Sequence, residues 1–189
     1  MKNLMTADVR ADLTMLMERF SAQEMNIPSV SASLKLSAII PFLAVFLSFV
    51  SASAVYFLGY NPEMSVRGFA DYFLSDGWVF VVPTLIVGLV FSFMTYNNVM
   101  LYLAIPERVR DRSLVIQHLK KVAKRTIKIF LILMLVATIL SGYSSWFAFS
   151  ITGLLFAQLF IVNLVIGAEI NRLGAGIVVE KISNLVSKI

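Results

Sequence analysis

The sequence predicts an all-α fold, a four-helix transmembrane bundle with a cytoplasmic N-terminal amphipathic helix. Three observations carry this prediction. Of 189 residues, 59% are hydrophobic and 14% are charged, whereas a soluble domain is about 25% charged. Four apolar runs approach the length of about 20 residues that crosses a bilayer core. The basic residues fall between those runs in an alternating pattern. A chain with so little charge lacks the polar surface to cover itself in water.

The chain divides into three parts. Residues 1–34 form a cytoplasmic amphipathic segment, 35–173 a four-span membrane domain and 174–189 a cytoplasmic interfacial tail. In the first part, Thr6 to Glu24 reads as a helix. Val9, Leu13, Leu16, Met17 and Phe20 recur at helical spacing and form one apolar stripe. Thr6 is its N-cap, Asp8 stands in the first turn, and Arg10, Asp12, Glu18, Arg19 and Glu24 occupy much of the rest. Pro28 ends the helix by disfavouring helical backbone at the residue before it. Such a helix lies on the membrane surface or binds a partner. Its mixed charges weaken a purely electrostatic attraction to lipid.

The four spans are Leu36–Tyr60, Trp78–Leu103, Ile127–Tyr143 and Trp146–Ala168. None contains Asp, Glu or Arg. Their only Lys, Lys128, sits one residue inside a boundary, where it can snorkel to the headgroups. Trp78, Tyr60, Tyr143 and Trp146 stand at span ends, as interfacial aromatics do. The first span reads as an uncleaved anchor, because a signal peptide would start its apolar region within about the first 15–30 residues.

Basic residues orient the bundle. Lys2, Arg10, Arg19 and Lys35 precede the first span, and Arg67 alone follows it. The middle loop holds Arg108, Arg110, Arg112, Lys120, Lys121, Lys124 and Arg125, with Lys128 just beyond. The third connection has none, and Arg172, Lys181 and Lys188 follow the last span. Positive residues stay on the cytoplasmic side. Both termini and the middle loop are therefore expected there. Asn61–Gly77 and the turn at Ser144–Ser145 are expected outside.

The connections have character of their own. Leu114, Val115, Leu119, Val122 and Ile127 repeat at helical spacing, so a helix from Arg112 can run unbroken into the third span. Its basic cluster sets topology and grips anionic headgroups. The outer loop combines Glu63, Arg67, Asp71 and Asp76 with Phe69, Tyr72, Phe73 and Leu74, and predicts a short interfacial helix over Ser65–Leu74. It serves as a lid on the headgroups or as a recognition surface. In the tail, Val178, Ile182, Leu185 and Ile189 suit a helix in the interface.

The candidate partner-binding residues are therefore Val9, Leu13, Leu16 and Phe20 on the first helix, and Arg67, Phe69 and Tyr72 in the outer loop. For helix packing, Gly88 with Ser92 and Gly153 with Ala157 have the small-xxx-small spacing that lets helices approach closely. Pro41 and Pro83 can kink their helices. Asn97, Asn98, Gln158 and Asn163 are polar groups inside spans, and hydrogen bonding between helices accounts for them.

The chemistry that the sequence excludes is as informative. There is no Cys and one His, His118. Disulfides and thiolate chemistry are ruled out, and a zinc site lacks the ligands it needs. No phosphate loop, dinucleotide fingerprint, HExxH or GxSxG motif occurs, and no nucleophile and base share a depth in the membrane. The expectation is a protein that is not an enzyme and takes no cofactor or metal. The net charge of +5 is explained by topology rather than by direct nucleic-acid binding. No span carries the intramembrane charge expected of an ion relay.

The order of elements adds a resemblance. A short amphipathic helix is followed by the Ile27-Pro28-Ser29 break, then by Leu34-Lys35-Leu36 opening a first span. Three more spans and a basic middle loop follow, with no large soluble domain. This plan resembles the entry exclusion proteins of F-type conjugative plasmids, the TraS group. The resemblance implies an inner-membrane protein of a plasmid-bearing recipient. Such a protein blocks redundant conjugative DNA transfer by recognising a component of the donor's mating machinery. The family carries no catalytic residues to transfer to this chain. Membrane lipid and a donor conjugation component are the implied partners, and a homo-oligomer is allowed. The other reading is a small structural subunit of a membrane secretion or transport complex.

Overall fold

The computed structural model describes residues 6–21, 28–59 and 65–186. Every regular element among them is helical: α1 (Thr6–Ser21), α2 (Val30–Leu58), α3 (Val66–Tyr72), α4 (Trp78–Ala104), α5 (Glu107–Arg112), α6 (Leu114–Leu140), α7 (Trp146–Leu173) and α8 (Gly176–Val186). A π-helical turn, Phe73–Gly77, joins α3 to α4 without a break. The expected boundary at Ile27 and the loop residues 61–64 lie outside the described residues.

Local chemistry sets the helix ends. The Ser29 hydroxyl accepts from the Ala32 amide at 3.2 Å and starts α2 just after Pro28. Ser65 caps α3 by accepting from the Gly68 amide at 2.9 Å. Gly174 ends α7 at φ 67°, with Ala175 N–H donating to the Ile170 carbonyl and Gly174 N–H to that of Asn171. Only glycine adopts that backbone without strain, and the bond pattern is a Schellman cap. The helix expected to run unbroken from the middle loop through the third apolar run does so as α6, but it starts at Leu114, and Ser113 separates it from α5. The Ser113 amide closes α5 on the Val109 carbonyl at 2.9 Å, and its hydroxyl caps α6 by accepting from Ile116 N–H at 3.2 Å.

Helices α2, α4, α6 and α7 pack on one another, most extensively α2 on α4 and α6 on α7. Their interior combines a cluster of Phe91, Met134, Ile151, Leu155 and Leu159 with many small and polar residues. Ala44, Ser48, Ser51, Ala52, Thr84, Ala137 and Ala148 are buried, while Phe42, Phe46, Ile86, Phe93, Ile139 and Leu164 face outward. Water would disfavour that distribution, and lipid suits it. Helices in a bilayer associate through close packing of small residues and inter-helix hydrogen bonds rather than by hiding apolar surface.

Three helical stretches are long and apolar enough to cross a membrane: Val30–Leu58, Val66–Ala104 and Trp146–Leu173. Helix α6 is not among them, although four spans are expected from the sequence. Lys124, Arg125 and Lys128 lie within it. Its uncharged stretch Ile129–Leu140 rises only about 18 Å, against a hydrocarbon core of about 30 Å.

A second, smaller core lies at one end of these helices. Leu16 of α1, Val109 of α5, Ile116 of α6 and Val178 of α8 cluster with Ala104 and Ile105 at the end of α4. Val9, Val115 and Ala175 form a neighbouring cluster, with Ile170 and Leu173 packed against it. Segments far apart in the chain thus share one packed end.

Candidate functional site

Asp12 organises that end. It stands one turn from both Val9 and Leu16, so it falls within the apolar stripe of α1 and is 7% exposed. Its Oδ2 accepts from Ser113 Oγ at 2.7 Å and from Val115 N–H at 3.0 Å. A carboxylate here satisfies one of the free amides of the first turn of α6 and complements the positive end of its dipole. Nearby, His118 Nε2 of α6 stands 3.4 Å from Glu169 Oε2 of α7, and Arg172 pairs with the same oxygen at 2.8 Å.

Beside this packed end a cavity of about 630 Å³ opens between the helices. Leu16 and Val178 lie on its wall at the α1–α8 end, Phe91 and Val162 toward the middle of the bundle. The volume falls in the range of small-ligand pockets. Asn98 and Asn163 line it and bond to each other, Asn98 Nδ2 donating to Asn163 Oδ1 at 3.2 Å.

Deeper in the bundle, Thr84 Oγ1 donates to the Phe80 carbonyl at 2.9 Å and lies 2.7 Å from Thr152 Oγ1. Ser48 Oγ donates to the same carbonyl at 2.6 Å. These groups tie α2, α4 and α7 together. Gln158 is fully buried, and neither of its amide atoms has a partner among the described residues. Asn97 is exposed.

The residues expected to meet a partner are distributed differently from the sequence reading. Val9 and Leu16 are buried, and Leu13 packs against both small clusters. The apolar stripe of α1 therefore closes on the chain's own helices rather than lying open to lipid or a partner. The side chain of Phe20 lies outside the described residues. Phe69 and Tyr72 of α3 pack on the end of α2, with ring centroids 5.6 and 5.3 Å from Tyr56. Arg67, Val66 and Leu74 remain exposed. Among the packing residues, Gly88 is buried against α2: a Cβ on it would stand 3.1 Å from Pro41 Cβ. Ser92 donates its hydroxyl to the Gly88 carbonyl at 2.9 Å. Gly153 is exposed, and a Cβ there meets nothing within 4 Å, so the Gly153–Ala157 pair makes no close helix approach among the described residues.

Sequence reasoning missed Asp12, which it read as part of the polar face. Its i, i+3 and i, i+4 spacing to Val9 and Leu16 was the available signal. The cavity had none, because its wall is assembled from six helices.

The fold and this end of it define an all-helical protein with three helices long and apolar enough to cross a membrane. No family model matches the chain, and neither curated proteins nor solved structures provide a match.

Proposed function

We propose that this chain is a four-pass inner-membrane protein of the entry exclusion type. Both termini and the middle loop are cytoplasmic, and it blocks redundant conjugative DNA transfer by recognising a component of the donor's mating apparatus. The observation that carries the topology is the shared core of α1, α5 and α8. The N-terminal helix, the middle loop and the C-terminal helix can pack together only on one side of the membrane, which requires an even number of passes. Helix α6 supplies the fourth. It runs the length of α7, from the His118–Glu169 pair at one end to the turn before Trp146 at the other. With its basic residues at headgroup level, its apolar end reaches the opposite face as the bilayer thins or snorkelling adjusts.

The exclusion function is supported by the resemblance in element order. Recognition then rests on an exposed segment. Because the stripe of α1 is buried, the exposed edge of α3 and the π-helical turn after it is the better candidate, with Val66, Arg67 and Leu74 outward.

The experiment expresses the chain alone in a recipient and measures transfer from donors carrying a related plasmid. Transfer should fall, and Val66→Asp with Arg67→Glu should restore it while the protein remains inserted. A stably inserted protein that excludes no related donor overturns this reading and favours a structural subunit of a membrane complex.

A further inference from the structure

We infer that the cavity holds an acyl chain of an anionic phospholipid, with its headgroup at Lys120 and Lys124. This rests on the membrane reading of the chain and not on exclusion. The first argument is dimension. Along α4 the cavity wall runs from Phe91 to Tyr102, a rise of about 16 Å. One leaflet of a hydrocarbon core about 30 Å thick has nearly the same depth.

The second argument is the chemistry of the wall. Its hydroxyl and amide side chains bond to carbonyls of their own helices or to each other. Ser37 donates to the Leu34 carbonyl at 3.0 Å and Thr95 to that of Phe91 at 2.7 Å. Asn98 donates to Asn163, which donates to the Leu159 carbonyl at 2.8 Å. The hydroxyl donors are engaged and each asparagine keeps a single amide hydrogen, so a polar ligand would lose water for few partners, whereas an apolar chain needs none.

The third argument is charge. Lys120 and Lys124, one turn apart on α6, line the cavity and are exposed, and neither has an acidic partner among the described residues. Arg110 stands 4.9 Å from the Tyr102 ring centroid and Lys120 Nζ 5.9 Å from the same ring. Tyr102 is itself on the wall. Lys120 and Lys124 lie between Leu119 and Ile127 on the α6 wall, and the apolar wall running from their level to Phe91 matches an amphiphile with an anionic head and an acyl tail. Leu36 and Ile39 both line the cavity and are exposed, which puts its opening on the flank of the bundle, where acyl chains are.

The test reconstitutes the full chain with phosphatidylglycerol or phosphatidylcholine of identical acyl chains. Native mass spectrometry then counts the lipid retained after detergent release. One phosphatidylglycerol per chain should be retained, favoured over phosphatidylcholine by about tenfold. Lys120→Gln with Lys124→Gln should bring the preference to near parity, and these exposed positions leave packing intact. Gly167→Phe should abolish retention of both lipids. Gly167 lines the cavity, and a Cβ there meets nothing within 4 Å, so the ring can occupy the slot. Equal retention of the two lipids by the unaltered chain overturns the headgroup assignment. No retention, or unchanged retention in a helical, thermally stable Gly167→Phe, overturns the site.

Discussion

Asp12 and Ser113, 101 residues apart, meet through a 2.7 Å hydrogen bond that fastens α1 to the start of α6. The same carboxylate accepts from the Val115 amide, so removing it strands two buried donors. Asp12→Ala should cost about 1–3 kcal/mol, a fall of about 2–4 °C in thermal midpoint per kcal/mol for a chain of this size. Hydrogen exchange at the Val115 amide should rise with it. An unchanged exchange rate would show that α1 does not depend on this contact.

Gly88 and Gly153 have the same kind of sequence neighbourhood and opposite surroundings. Gly88→Leu should destabilise the bundle by about 1–3 kcal/mol, because its side chain must displace Pro41 from a packed face. Gly153→Leu should change stability by no more than about 0.5 kcal/mol, as at an open surface position. Thermal unfolding of both variants in the same detergent makes the comparison, and a reversed order would place the close approach on the other helix face.

Thr84 joins three helices through its hydroxyl. Thr84→Val keeps the shape and removes the donor. The loss should be about 0.6–1.7 kcal/mol per inter-helix bond, the range measured for such bonds in bilayers. Thr152→Val should cost a similar amount, and the double variant less than the sum, because the two hydroxyls share one bond. Strict additivity would argue that they do not interact.

Topology reporters check the proposed four passes. Fusions at Ser31, at Ser113 and after Ile189 should report cytoplasm, and fusions near Arg67 and Ser144 the outside. A reporter after Ile189 on the opposite side from the one at Ser31 would remove α6 from the set of crossing helices.

Hydropathy and periodicity alone were enough for the helical class and for the starts of α4 and α7. Trp78 begins α4 and Trp146 begins α7 as expected, because an interfacial aromatic at the edge of an apolar run is a local signal. The α3 helix was legible because caps act on their neighbours, whereas α2 starts at Val30, six residues before the expected Leu36, where Ser29 caps it. What an apolar or polar side chain faces is not local. The stripe of α1 looked ready for lipid or a partner, and only packing showed it closed against α6 and α8. Asp12 was indistinguishable from its solvated neighbours until a helix start 101 residues away came within reach. Gly88 and Gly153 share a motif, yet which of them meets another helix depends on how α4 and α7 rotate about their axes. The cavity belongs to no segment at all, since its wall exists only where six helices converge. Composition and spacing act within about a turn or two of chain, whereas burial, closure and recognition depend on contacts between residues that the chain keeps far apart.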